Sequence, residues 1–118
     1  MSALRGANLL VMFALELTVL GSAAFWGATV PDPVPARIFA AVAVPTVFIV
    51  VWSFFGAAAD ARYPQTGWRR ALLELVWFGG GAVLLGWAWT PWAGVAMFAV
   101  WAVNGVLRVV WGQVGQVP

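Results

Sequence analysis

Two glutamates stand inside strongly apolar stretches of this sequence. Glu16 lies in FALELTVLGSAAFWG, which covers residues 13–27, and Glu74 lies in ALLELVWFGG, which covers residues 71–80. A carboxylate at the depth of a lipid bilayer is costly unless it is neutralised, paired or hydrated. A carboxyl group that is shielded from water keeps its proton more readily, which suits it to general acid catalysis. Both glutamates are therefore candidates for proton transfer.

Other polar and aromatic residues are expected at the same depth. Asn104 and Arg108 lie one helical turn apart in the last apolar stretch. We expect an aromatic chamber that contains both carboxyls, the amide and the guanidinium, because facing lipid would be prohibitive for such groups. The residues expected to be catalytic are Glu16, Glu74 and Asn104. The residues expected to bind a substrate are Phe13, Phe48, Trp52, Phe55, Trp77, Trp101 and Arg108.

The composition restricts both the class of protein and its chemistry. Of the 118 residues, 64% are hydrophobic and only 8% are charged, which is typical of an integral membrane protein. The net charge is only +2 and no basic run is present, so no nucleic acid partner is expected. The sequence has no Cys and no His, which excludes thiolate chemistry, imidazole bases and the usual transition-metal sites. No metal and no cofactor is expected.

Four apolar segments can be distinguished, covering about residues 7–27, 35–58, 67–88 and 91–112. Each has about 20 residues, enough for a helix to cross a hydrocarbon layer of about 30 Å. Because lipid cannot satisfy backbone polar groups, such segments must be helical. Pro35 and Pro91 fit the first turn of the second and fourth helices. The predicted fold is an all-α integral membrane protein, a four-transmembrane-helix up-and-down bundle that forms one domain over residues 1–118.

The arginines predict the orientation of this bundle. Five of the six fall on one side, and only Arg37 falls on the other. Cytoplasmic loops carry the excess of Arg and Lys, so both termini and the loop around residues 60–70 are expected in the cytoplasm, at a bacterial inner membrane. The arginines on that side are Arg5, Arg62, Arg69, Arg70 and Arg108. The tryptophans expected at the outer interface are Trp26, Trp87, Trp89 and Trp92.

The two halves of the chain are similar to each other. ALELTVLG at residues 14–21 aligns with LLELVWFG at residues 72–79, which places Glu16 on Glu74. Segments 35–56 and 91–112 each begin with Pro and end with Gly. These matches favour a parallel repeat of two helices about an axis along the membrane normal. The alternative is chance similarity between apolar segments.

Short motifs along nearly the whole chain are shared with one family of small bacterial membrane proteins. They are Glu-Leu in the first helix, FWG at its end, WSFFGAAADARYP closing the second helix, ALLELVWF in the third and VNGVL in the fourth. With these motifs the sequence resembles the YrdB-like family. It differs at GAAADA, where such proteins tend to carry a Pro and a basic residue. The resemblance implies four membrane helices and no particular activity.

The same residues also have structural interpretations. An aromatic stripe at helical spacing commonly serves packing. Arg69, Arg70 and Arg108 could anchor helix ends by reaching to the interface. Asn104 could make a hydrogen bond between helices, and the glutamates could form structural clamps with Arg or Asn.

We favour an enzyme that acts by proton transfer on a lipophilic, terpenoid-like substrate, of the cyclase or isomerase type. Glu16 has apolar neighbours and would be the general acid, whereas Arg70 would hold Glu74 ionised to accept the proton. Aromatic faces would stabilise a passing cation. This chemistry resembles that of protonation-initiated terpene cyclases and membrane sterol isomerases. The expected partners are the lipid bilayer and a lipophilic small molecule, and a homo-oligomer is left open.

Two other classes of function fit the sequence. One is a proton-coupled exporter of hydrophobic cations, in which a glutamate binds proton and substrate in turn. Small four-helix multidrug transporters carry a glutamate in the first helix and work as dimers, but they do not need Glu74, Asn104 or Arg108. The other is a structural subunit of a larger membrane complex, in which the polar residues only hold helices together.

Overall fold

Long apolar runs bounded by Pro and Gly favour helices, and helices are what this chain forms. In the computed structural model, residues 2–56, 63 and 67–111 are described. They form α1 (Ser2–Thr29), α2 (Val34–Phe55), α3 (Gly67–Ala88) and α4 (Pro91–Val110), and no strand occurs in this part of the chain. All four helices are long and apolar enough to cross a membrane.

The helix bounds differ from the expected ranges mainly at the ends. Helix α1 is longer at both ends than residues 7–27, whereas α3 covers the expected range. Helix α2 ends at Phe55, and the N–H of Gly56 donates to the carbonyl of Trp52 (2.9 Å). The expected ends at residues 58 and 112 lie outside the described residues. That the whole chain is one transmembrane domain stays a prediction.

Helix α1 is the centre of the bundle. It packs against α2 and α3 over much of its length and also contacts α4, while α3 packs against α4. Its inward residues Met12, Leu15 and Val19 are spaced by three and four positions, which keeps them on one helical face. The core also contains residues of the other three helices, namely Trp52, Trp77, Phe78, Ala82 and Met97.

Contacts at the two ends of the bundle show that it runs up and down. Trp26 near the end of α1 meets Trp87 near the end of α3, with ring centroids 5.4 Å apart. At the opposite end, the Arg5 guanidinium lies 6.0 Å from the ring of Trp111, which follows α4. Helices α1 and α3 are therefore parallel, and α4 runs against them.

Close helix crossings occur where glycine removes a side chain. A Cβ on Gly27 of α1 would overlap the backbone of Ala40 on α2. A Cβ on Gly94 of α4 would lie 2.5 Å from the carbonyl oxygen of Ala82 on α3. Small residues allow such close approach between membrane helices. At these crossings α1 lies close against α2, and α3 lies close against α4. Both crossings are toward the end of the bundle where Trp26 meets Trp87.

Candidate functional site

A cluster of three charged side chains is buried between α3 and α4. Glu74 of α3 accepts hydrogen bonds from Arg70 Nε (2.7 Å) and from both terminal nitrogens of Arg108 on α4. The indole N–H of Trp101 donates a further bond to Glu74 (3.1 Å). Arg70, Glu74 and Arg108 are exposed by only 3%, 4% and 1%. Glu74 is thus an anion saturated by donors, and the bidentate Arg108 pair has the strongest geometry for such a contact.

Two asparagines extend this cluster to α1. Arg108 Nε donates to Asn104 Oδ1 (2.7 Å), and Asn104 Nδ2 donates to the backbone carbonyl of Asn8 (2.7 Å) and to its Oδ1 (2.9 Å). All three side chains are buried. Hydrogen bonds thus connect α3, α4 and α1, and a buried guanidinium is stabilised only when its donors are satisfied in this way. We call Asn8, Arg70, Glu74, Asn104 and Arg108 the polar cluster.

Glu16 lies beside the polar cluster and is bound differently. Its Oε1 accepts a hydrogen bond of 2.5 Å from the indole N–H of Trp52, and it is 8% exposed. Its Oε2 is buried without a hydrogen-bond partner among the described residues. The guanidinium of Arg70 lies 5.0 Å from the centre of the Trp52 ring, so Trp52 contacts both Glu16 and the polar cluster. Arg70 Nη2 is likewise buried without such a partner, whereas its Nη1 donates to the Gly56 carbonyl (2.5 Å).

A groove of about 480 Å³ between α3 and α4 leads to the polar cluster. Its charged lining consists of Arg70, Glu74 and Arg108. Glu16 and Asn104, which we expected in one chamber with Glu74, are not part of this lining. The remaining lining residues are Gly67, Ala71, Trp101, Ala102, Gly105, Val106, Val109 and Val110.

The aromatic residues fill space rather than enclose a chamber. The rings of Trp52 and Trp77 are stacked with centroids 4.4 Å apart, and Phe78 meets both edge-on. Trp77 also donates its N–H to the backbone carbonyl of Phe48 (2.9 Å). Stacked rings with satisfied N–H groups are stable packing units. The region between Trp52 and Trp77 is therefore packed, which corrects the expectation of an open aromatic chamber there.

The residues expected at the site are brought together in part. Glu74, Trp101, Asn104 and Arg108 meet at the polar cluster. Glu16, Phe48, Trp52 and Trp77 form an adjoining group in the core. Phe13 and Phe55 lie on the outer surface of the bundle, with exposures of 44% and 37%. Phe13 and Phe55 therefore belong to neither group.

The interpretation of the arginines as interfacial anchors is wrong for Arg70 and Arg108. Both are buried in ion pairs, whereas the neighbouring Arg69 is exposed. The pairing with Glu74 compensates the desolvation that would otherwise drive these side chains to the interface.

Sequence reasoning missed Asn8 and underrated Arg70. Asn8 precedes the buried Met12 by four positions, and this spacing places both on the inward face of α1. Arg70 precedes Glu74 by four positions, the separation at which opposite charges meet on one helix. Both spacings are visible in the sequence. They identify a buried polar residue only when the rotation of α1 or α3 about its own axis is known.

Four helices around a buried polar cluster make this chain an all-helical four-helix bundle, and each helix is a candidate membrane span by its length and composition. A family model described as a protein of unknown function (DUF2568) matches residues 10–102. The chain belongs to this family. The match includes Glu16, Arg70 and Glu74 and ends before Asn104 and Arg108. No curated protein and no solved structure matches the chain significantly. The YrdB-like resemblance stays a prediction.

Proposed function

We propose that this protein binds a lipophilic small molecule between α3 and α4 within a bacterial inner membrane and transfers a proton to it, as a cyclase or isomerase would. The observation that supports this is the convergence of Arg70, Glu74, Arg108 and Trp101 on one groove. Three of these four residues were singled out from the sequence alone.

The shape of the groove suits an apolar ligand. Its volume of about 480 Å³ falls in the range of small-molecule sites, about 300–1,000 Å³. Its walls are made by Ala, Gly and Val side chains, with charge confined to the polar cluster. A few placed polar groups in an apolar cleft are the usual composition of a ligand site.

The two carboxyl groups are suited to different tasks. Glu74 accepts four hydrogen bonds from three side chains, so its role is that of a fixed counter-ion rather than the proton acceptor we first expected. Glu16 is oriented by Trp52 and has one oxygen without a partner among the described residues. We therefore assign Glu16 the general-acid role, and the carboxylate that remains after Glu16 has given up its proton is the base that takes a proton from the product cation. Since Glu16 does not line the groove and Trp52 is packed against Trp77, proton transfer requires the Trp52 side chain to move away from its packed position.

The charge of the groove argues against an exporter of hydrophobic cations. Two guanidinium groups and one carboxylate line it, so a cation would meet net repulsion. A structural role is the second candidate, and a specific observation favours it. The polar cluster joins α1, α3 and α4 through short hydrogen bonds, which is sufficient reason for burying it.

We also propose that both termini face the cytoplasm. The support is the arginine distribution, with five arginines on the side of the termini and one on the other side. Arg37, the exception to that distribution, donates to Asp32 (2.8 Å) and to the Pro31 carbonyl (2.7 Å). The rule counts arginines whether or not they are paired, so Arg37 still counts against the orientation, as one arginine against five.

The experiment fills the groove with a larger side chain and leaves Arg70, Glu74 and Arg108 unchanged. Ala102 lines the groove, while Val103 is the next residue on α4, is 62% exposed and lies outside the lining. Native lipid extracted with the purified wild type, Ala102→Trp and Val103→Trp would be compared by mass spectrometry. We expect a retained lipophilic molecule with wild type and Val103→Trp and its loss with Ala102→Trp. Equal retention by all three proteins would overturn the groove as the binding site.

Turnover is tested separately from binding. The lipophilic fraction would be incubated with wild type and with Glu16→Gln, and new products would be sought. Product formed by wild type and not by Glu16→Gln supports the enzyme. If both proteins bind the molecule and neither forms a product, the enzymatic proposal is wrong and a structural role of the polar cluster remains.

A further inference from the structure

The charged lining of the groove has an excess of one positive charge. Arg70 and Arg108 contribute two guanidinium groups, and Glu74 contributes one carboxylate. Each guanidinium keeps its charge because arginine is not deprotonated in proteins. The other carboxyl nearby, Glu16, lies outside the lining and carries a proton as the general acid of the proposed function, so it does not cancel this charge. A molecule in the groove therefore meets a site that is complementary to one negative charge.

Arg70 also has donor capacity that its described partners do not use. Its Nε is bound to Glu74 and its Nη1 to the Gly56 carbonyl, while Nη2 is buried without a partner among the described residues. Arg70 is only 3% exposed, and it is one of the residues that line the groove. Buried N–H groups without an acceptor are costly, so such a group on a residue that lines a ligand-sized groove points to an acceptor supplied by the ligand.

The rest of the lining indicates what must be attached to that acceptor. From Trp101 to Val110 of α4, the groove is lined by Ala, Gly and Val apart from the terminal Trp and Arg108. Such a surface offers no hydrogen bonds from side chains and favours a hydrocarbon chain. A fully hydrated inorganic anion would gain nothing from these walls.

We infer that the groove binds an amphiphile with a single oxyanion, a carboxylate or a phosphate, on an apolar chain, with the oxyanion bound at Arg70 and with Arg108 contributing its positive charge. This inference rests on the proposed function, because it uses the same groove, and it adds the charge class of the ligand. Guanidinium groups recognise both oxyanions through paired N–H donors. The site accordingly discriminates by charge at one end of the ligand and by length at the other.

The test uses three photoreactive probes with one chain and different heads: a fatty acid, the matching fatty alcohol and the matching fatty amine. Wild-type protein would be reconstituted in nanodiscs of zwitterionic phosphatidylcholine, irradiated and digested, and the cross-linked peptides mapped. We expect the acid to label groove residues of α3 and α4 about tenfold more than the alcohol, given the strength of charge-assisted hydrogen bonds. The amine should label less than the alcohol. A monoacyl phosphate of equal chain length, added as a competitor, distinguishes the two oxyanions.

Each outcome separates the charge inference from the groove itself. Equal labelling of the groove by acid and alcohol would overturn the oxyanion and leave groove binding intact. Labelling outside the groove by all probes would overturn the proposed binding site as well. Ala102→Trp should remove the acid's labelling and Val103→Trp should not, so a folded variant tests the site without disturbing Arg70 or Arg108. Loss with both variants would contradict a groove-specific site.

Discussion

The indole N–H of Trp52 donates a hydrogen bond of 2.5 Å to Glu16, joining α2 to α1. In the sequence alignment of the two halves, Glu74 corresponds to Glu16, 58 positions earlier, and Arg108 corresponds to Trp52, 56 positions earlier. Arg108 donates to Glu74 and joins α4 to α3. Each half of the chain therefore connects a carboxyl on its first helix to a donor at the equivalent place on its second. Trp52 is a neutral donor, whereas Arg108 is a cation. Glu74 is therefore bound by a positive charge and Glu16 by a neutral group.

The first prediction compares the two glutamates by stability. Glu74→Gln should lower the free energy of unfolding by about 3–5 kcal/mol, because two buried guanidinium groups lose their counter-charge. Glu16→Gln should cost about 1 kcal/mol or less, since the Gln oxygen can still accept the Trp52 N–H. Unfolding in detergent micelles, followed by circular dichroism, measures both. Equal losses would contradict the assignment of Glu74 as the counter-ion.

The second prediction concerns activity under the enzymatic proposal. Glu16→Gln should reduce turnover of a polyene or epoxide-like lipid by about 10²–10⁴-fold while the protein stays folded, as expected for loss of a positioned acid. Trp101→Leu should slow the reaction less, by about tenfold, because it removes one hydrogen bond to Glu74 and part of the groove wall but leaves the acid in place. Product analysis by mass spectrometry measures both. Full activity of Glu16→Gln would remove Glu16 as the acid.

The third prediction compares adjacent arginines. Arg70→Gln should destabilise the protein by about 3–5 kcal/mol, because it breaks a buried ion pair with Glu74 and the bond to the Gly56 carbonyl. Arg69→Gln makes the same change in charge at an exposed position and should alter stability by about 0.5 kcal/mol or less. The melting temperatures of the two variants, measured in the same detergent, compare these losses of stability. Similar melting temperatures would argue against the burial of Arg70.

The fourth prediction tests a helix crossing. Gly27→Ala should destabilise the protein by about 1–3 kcal/mol, because the added methyl group overlaps the backbone of Ala40. Gly21→Ala is the matched control on the same helix, where nothing lies within 4 Å of an added Cβ. That change should be neutral or slightly stabilising, since Ala favours helix over Gly. A Gly27→Ala protein as stable as Gly21→Ala would contradict the crossing.

The fifth prediction concerns orientation. Single cysteines at positions 3, 65 and 116 should react alike with a membrane-impermeant thiol reagent, and a cysteine at position 32 should react from the opposite side. The physical reason is the bias of Arg toward the cytoplasmic side. Labelling of position 65 from the periplasm of intact cells would reverse the proposed orientation. The natural sequence has no Cys, so each variant carries one reactive site.

The sequence alone determined the helices and identified the unusual residues. Apolar runs of membrane length can satisfy their backbone only as helices, and this holds whatever the neighbouring helices do. Glu16 and Glu74 were conspicuous because an ionisable group in such a run needs a compensating partner. Neither conclusion depends on how the helices are rotated against one another.

Only the tertiary structure decided which groups are partners. Arg69 and Arg70 are neighbours in sequence, yet one is exposed and the other is buried against Glu74. Successive residues on a helix point about 100° apart, so a rotation of α3 by about that angle would exchange their environments. Rotation is set by how side chains such as Trp52 and Trp77 pack between helices, and helical periodicity does not specify it. The same packing closed the expected chamber and left the groove between α3 and α4.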